Sequence, residues 1–426
     1  MTISIEEKKV LRDLAKQVNE ISQNPVWDEK RTLWKQKNSL RKVRPLILCT
    51  LPEEAWMEII PESQLQVKEP LLKTYEWELR KRIYRWEKIK DDEIINNTVY
   101  VPVQRNLTDW MEGHVRPHSA SANQAAKFTP CINEWSDFKK MKFPQMEVDW
   151  KTTDQNFDRV LDVFGDTLHV IKGEPFYAAT DREVMGWGNS LIDVLCELRG
   201  LENIFYDFVN EPEFIHEAME FLKQGTMKYL DDLEKNNLLM LNNNDFLFNS
   251  NSPCGSNGLG CTDELPQAGF NPDHVTTGHL WGYFMAQELT NVSPAMVEEF
   301  ILPYQREVAQ KFGLNCYGCC EKLDKKYDII LKHIPNLREV AVSLVSDLQI
   351  AAEKLKDKYV YSWRPHPTSM ISLYDENYIR GEIARAFEIT KDCHVIVCLR
   401  DTQTLHGEPY RASRWTEIAM ELAKNF

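Results

Sequence analysis

Two hydrophobic periodicities divide the chain. Up to about residue 150, apolar positions recur every three or four residues, as at Val10, Leu11, Leu14, Val18 and Ile21, and the charged, Trp-studded stretch 75–90 continues in that style. Extended signals are sparse there. Only 46–50 and 98–103 qualify, and Pro52, Pro61, Pro70 and Pro102 cut the region into short pieces. Residues 1–150 are therefore expected to form a mostly helical N-terminal extension.

From about Asp166 the pattern changes to short β-branched or aromatic runs alternating with amphipathic helices, the mark of βαβ units and a parallel sheet. The expected strands are 167–172, 238–242, 278–284, Leu314–Tyr317, 337–343, 359–363 and His394–Leu399, with an eighth indistinct between Pro175 and Gly186. Seven or eight such units within residues 151–426 predict an α/β fold of the (β/α)8 barrel type rather than an open doubly wound sheet. No GxGxxG turn supports the doubly wound alternative. Helix starts agree with this phrasing: Asn210 with Pro212 opens a helix over 213–230. Ser293 with Pro294 opens another, with Val297, Phe300, Ile301, Tyr304 and Val308 on its apolar face. In such a barrel the chemistry gathers at the C-terminal ends of the strands, which selects the polar residues of interest.

Composition narrows the class of function. A 43% hydrophobic content with 12 Trp, 15 Tyr and 18 Phe fits a chain folded throughout, and 426 residues allow a large barrel plus an extension. A net charge of −14 disfavours nucleic acid or an anionic membrane surface as main partner, and the basic run 30–44 reads as a solvated helix face. No run of 18 apolar residues occurs, so no transmembrane helix is expected. Ten irregularly spaced cysteines behind a polar N-terminus predict free thiols in the cytoplasm.

Residues 314–321 gather three thiols, a phenol and a carboxylate where a buried strand should end. Cys316 and Cys319 have C-x-x-C spacing with Cys320 adjacent; thiolates suit zinc, but buried free cysteines are also ordinary core residues. Asn242, Asn243, Asn244 and Asp245 follow a predicted strand, so Asn242 and Asn244 are candidate substrate contacts, although the same residues form ordinary loops. The loop 249–266, with Gly255, Gly258 and Gly260, is either a lid or a long surface loop. His279, Trp281 and Tyr283 alternate along one strand and share a face, either lining a pocket or packing. Trp363, Arg364 and His366 close another strand; Arg364 could hold a carboxylate, and His366 could act as acid, base or ligand. Arg400 and Asp401 read as a structural ion pair.

The segment Tyr206 to His216, Glu288 through Val292-Ser-Pro-Ala-Met296, and Leu302-Pro303-Tyr304 resemble the uroporphyrinogen decarboxylase superfamily over about residues 166–426. That resemblance implies a (β/α)8 barrel and either porphyrinogen decarboxylation or methyl transfer involving a corrinoid protein. The Arg-Gln-Ala-Gly-Arg phrase with which the decarboxylases grip their substrate is absent, whereas 316–323 and 401–409 with Arg411 and Trp415 resemble the methyltransferase branch. In that branch's zinc enzymes a His-x-Cys pair ends one strand and a second Cys lies in the last. By this register Cys319 and Cys398 fall on the Cys positions, and Tyr317 stands where the His would be. Zinc could be completed by Glu321, Glu288 or a histidine, or be absent; an acid such as Glu288, Glu321, Tyr317 or His366 could then protonate the leaving atom.

The resemblance thus implies a cobalamin-dependent methyltransferase of the O-demethylase type. It would move a methyl group from a small methoxylated-aromatic or methylamine-like donor to a separate corrinoid protein. The corrinoid must sit on a partner, since the Asp-x-His-x-x-Gly phrase of the carriers is absent. A porphyrinogen decarboxylase and a non-catalytic barrel that binds a corrinoid protein are the alternatives. Donor identity, direction of transfer and the choice between monomer and homodimer are not encoded legibly.

Overall fold

The protein is described by a computed structural model covering residues 3–114, 129–173, 179–186, 188–247, 258–372 and 374–426. Ten strands occur in it. They are β1 Leu46–Cys49, β2 Thr98–Val101, β3 Arg105–Leu107, β4 Met146–Val148, β5 His169–Lys172, β6 Trp281–Phe284, β7 Leu314–Tyr317, β8 Leu337–Val342, β9 Val360–Trp363 and β10 His394–Leu399. Six of them form one all-parallel sheet in the order β1-β10-β9-β8-β7-β6.

The expected closed eight-stranded barrel is not formed among the described residues. The run 238–242 forms no ladder, and β5 pairs with β2 in a separate two-stranded sheet. Of the indistinct eighth strand, the described part is the helix Ala179–Met185; the rest lies outside the described residues. Side chains and loop backbone supply partners at both open edges instead. The amide of Asn242 clasps the backbone of Trp281, accepting from its N–H and donating to its C=O at 3.0 Å each. Asn189 N donates to Tyr283 O at 2.8 Å. At the other edge, Ile47 N and Cys49 N donate to the carboxylates of Asp92 and Asp91, each at 2.8 Å, and Arg85 donates to Cys49 O. A strand edge buried without such partners would leave orphaned peptide groups.

The N-terminal region is helical as expected, with Ile5–Ser22, Val26–Asn38 and Pro70–Tyr84 as its main helices. The first is fixed by a capping box in which Ser4 and Glu7 exchange side-chain bonds with each other's backbone. This region also supplies β1, so the central sheet draws on both sides of residue 150. Pro212–Lys235 starts with its proline but without Asn210 as cap, because Leu201–Asn210 is itself helical up to that residue. Ser293 does cap Pro294–Phe300, its hydroxyl accepting from Met296 N.

The strands are apolar on both faces, as parallel strands covered on both sides must be. Ile47, Val395, Val397, Leu399, Tyr361, Trp363, Val340, Val342, Tyr317 and Phe284 share one core with the flanking helices. The alternate residues face the other way. Leu46, Leu48, Val360, Ile396 and Cys398 pack with Trp34 and the N-terminal helices, and Trp281, Tyr283, Leu314 and Cys316 form a smaller cluster against Cys319.

Candidate functional site

The loop after β7 is built around one glycine and one carboxylate. Gly318 has φ +99°, and a Cβ there would sit 3.0 Å from Leu323 and 3.4 Å from Ala341, so only glycine turns the chain at this point. Glu321 is 2% exposed. One of its oxygens accepts from Ala286 N at 3.0 Å and the other from Cys319 N at 2.7 Å, which staples the loop to the chain leaving β6. Cys320 N reaches the Gln287 side chain at 3.4 Å, and the Cys319 and Cys320 sulfurs lie 3.7 Å apart.

Around this loop the charges separate into two sides. On one side stand Arg364, which follows β9 and is 2% exposed, and Arg400, which follows β10 and pairs with Asp401 at 3.2 Å. The thiol of Cys319 is held well below its ordinary range, chiefly by the hydrogen bond with Cys320. Burial opposes this, and Arg364, Arg400 and a hydrogen bond with Tyr283 support it. Burial, and then the neighbouring Cys319, push Tyr283 well up, so its phenol stays a donor.

Carboxyls occupy the other side. Burial alone raises Glu288 above the usual carboxylate range, and burial followed by Cys319 raises Glu321. Asp193, on the helix Ile192–Arg199, is pushed well up by burial; Ser190 opposes the shift, and Glu288, Glu321 and Cys319 add to it. One Asp193 oxygen has no hydrogen-bond partner among the described residues. Burial and like charge both favour the protonated form of a carboxyl, so this is the side disposed to give protons.

Of the residues singled out from the sequence, the fold brings Cys319, Glu288, Glu321, Tyr283 and Arg364 together. Tyr317 lies on the helix-packed face, buried, with Glu321 and Asp193 among its electrostatic neighbours. Trp363 also points into that packed core rather than toward Arg364, because successive strand residues alternate. His366 is exposed and its Nδ1 accepts from Thr368 N and from the Thr368 hydroxyl, so it only shapes its own turn. His279 sits in a 3-10 turn outside the strand, accepting from Gln267 N with its ring 5.1 Å from Phe270. Trp281 is core, its indole donating to Gly260 O at 2.9 Å. Asn242 is the edge clasp, and Asn244 bonds Leu241 O and Phe246 N within one turn. Asp245 is held by Arg31. Residues 249–257 of the expected lid, Gly255 included, lie outside the described residues; Gly258 and Gly260 are buried.

Zinc does not fit this donor set. Cys398 is buried beside the Thr50 hydroxyl, 3.5 Å from its sulfur, and burial raises its thiol. Arg400 and Arg364 act on both Cys398 and Cys319, and two guanidiniums repel a divalent cation. Among the described residues no three His, Cys, Asp or Glu side chains converge as a metal site.

Asp193 and Arg400 join the site without having been picked out for it, and Cys320, noted only as the neighbour of Cys319, joins it as well. Arg400 was legible only as the partner of Asp401. Asp193 had one faint signal, an acid embedded in the apolar run Leu191-Ile192-Asp193-Val194-Leu195.

No family model and no curated protein matches the sequence. Nineteen solved chains match the fold. One, a methyltransferase from Methanosarcina mazei, aligns over 92% of this chain and 98% of its own with 9% identity and a TM-score of 0.49. A likeness at that level bears on neither substrate nor chemistry. No helix among the described residues is long and apolar enough to cross a membrane.

Proposed function

We propose that this chain is a methyltransferase that takes a methyl group from a small donor, such as a methoxylated aromatic or a methylamine, for a corrinoid carried by a separate protein. One observation carries the reading. Carboxyls whose burial raises their proton affinity gather where β6 and β7 end, Asp193 and Glu321 beside Cys319 and Glu288 beside Asp193, opposite the two arginines that follow β9 and β10.

Breaking a methyl–oxygen or methyl–nitrogen bond leaves a basic atom that must be protonated or neutralised. Glu288, partly exposed and with its proton affinity raised by burial, is the acid placed to give that proton. Glu288 and Glu321 add by their proximity to the raised proton affinity of Asp193, and Glu321 spends both oxygens on backbone N–H groups, so it positions rather than reacts. Arg364 and Arg400 supply positive charge for a donor carboxylate or a departing oxyanion. The partner's corrinoid supplies the cobalt nucleophile that accepts the methyl group. A zinc-assisted route finds no support in the donor set. Porphyrinogen decarboxylation is disfavoured as well, since two guanidiniums, among the described residues, are few for a substrate with eight carboxylates.

The test is to mix the protein with cob(I)alamin under strict reduction and offer a panel of methoxyarenes and methylamines. The expected result is the visible spectrum of methylcobalamin with at least one donor. An unchanged spectrum with every donor, alongside carbon dioxide release from a porphyrinogen, would replace this reading with the decarboxylase.

A further inference from the structure

We infer that Cys319 and Cys320 form a two-electron dithiol couple, a modification site that closes to a vicinal disulfide on reaction with a small-molecule disulfide. Three observations carry this. The two sulfurs are already 3.7 Å apart in the reduced chain, and both residues are partly exposed. The backbone N–H groups of both residues are held by side chains. Cys319 N donates to Glu321 and Cys320 N to Gln287, so neither residue belongs to a helix or ladder that closure would have to break. The loop also follows Gly318 at φ +99°, where the backbone is least restricted.

The other nearby thiols are committed elsewhere. Cys316 is fully buried within β7 and donates to Gly282 O at 3.3 Å, and Cys398 sits in β10 against Thr50. Cys320 is therefore the resolving thiol. In the first step the Cys319 thiolate attacks one sulfur of the small disulfide RSSR, forming a Cys319–SR bond and expelling RS⁻. Cys320 then gives its proton to that RS⁻ and attacks the Cys319 sulfur, forming the ring and expelling the second RS⁻, which takes a proton from water. The protein loses two electrons and the small disulfide leaves as two thiols. Closure removes the thiolate charge that faces Arg364 and Arg400.

The experiment is independent of methyl transfer, because it reads mass and not turnover. The whole reduced chain is treated with glutathione disulfide, blocked with iodoacetamide, digested and weighed. The peptide carrying both residues should have lost two hydrogens and escaped alkylation, and dithiothreitol should restore both. Cys320→Ser should instead hold glutathione on Cys319. As a check that needs no variant, one equivalent of phenylarsine oxide should protect both thiols of the wild-type chain from iodoacetamide. A stable glutathione adduct on wild-type Cys319, or both thiols still alkylated after either treatment, would overturn the inference.

Discussion

The two ends of the same sheet treat buried charge in opposite ways. At the N-terminal ends of the strands, Lys37 from the helix Val26–Asn38 is fully buried, its ammonium 4.2 Å from the centre of the Trp34 ring and close to Glu339 at the start of β8. Burial raises Glu339, and Lys37, then Ser362, offset that. Here opposite charges face each other, and beside them Asn38 donates to the backbone of Leu259 and Cys261 at 2.7 Å. At the C-terminal ends like charges are crowded, Asp193 beside Glu288 and Glu321, and Arg364 beside Arg400 with the Cys319 sulfur and Asp401 as counter-charges. Matched charge is architecture; crowded like charge is kept at a cost in stability where chemistry needs it.

This contrast can be broken by experiment, the strongest effect first. Lys37→Met leaves Glu339 buried without its main counter-charge and should cost about 3–5 kcal/mol of unfolding free energy in urea titration. The double variant Lys37→Met with Glu339→Met should recover most of that loss; equal damage in both would mean that the pair is not matched. Asn242→Leu removes the clasp on Trp281 and should cost about 1–3 kcal/mol for each of the two peptide groups orphaned, seen as a lower urea midpoint.

Activity should carry its own signature at the other end. Glu288 has a raised folded-state pKa, so its protonated form persists above the ordinary carboxylate range and is lost as pH rises through the raised value. The transfer rate should therefore fall on the alkaline side by about tenfold per pH unit, and Glu288→Gln should flatten that limb. The same sign applies to stability: the contribution of Glu288 is fully present below the ordinary carboxylate range and lost as pH rises. A limb that survives in Glu288→Gln would assign it to another group.

The parts that were legible are those where the pattern is local. Strands β7 and β10 begin and end where their apolar runs do, at Leu314–Tyr317 and His394–Leu399. Ser293 and Pro294 announced a helix by cap chemistry alone. What failed was non-local. The run 238–242 is as apolar as a strand, but Asn242 bonds the neighbour with its side chain, which no periodicity encodes. The facing of Tyr317 and Trp363 was illegible because parallel strands buried on both sides do not alternate in polarity. Asp193 reached the site through a helix more than 90 residues before Glu288, a proximity that only the fold creates.

The contrast is tested most directly by comparing methylcobalamin formation in Glu288→Gln and in the Lys37→Met, Glu339→Met double variant, using the best donor found. The expected result is a loss of about a hundredfold to ten-thousandfold in the first, with its urea midpoint no lower than wild type, and a near wild-type rate in the second. A wild-type rate in Glu288→Gln, with the loss in the double variant, would place the chemistry at the wrong end of the sheet and contradict the account.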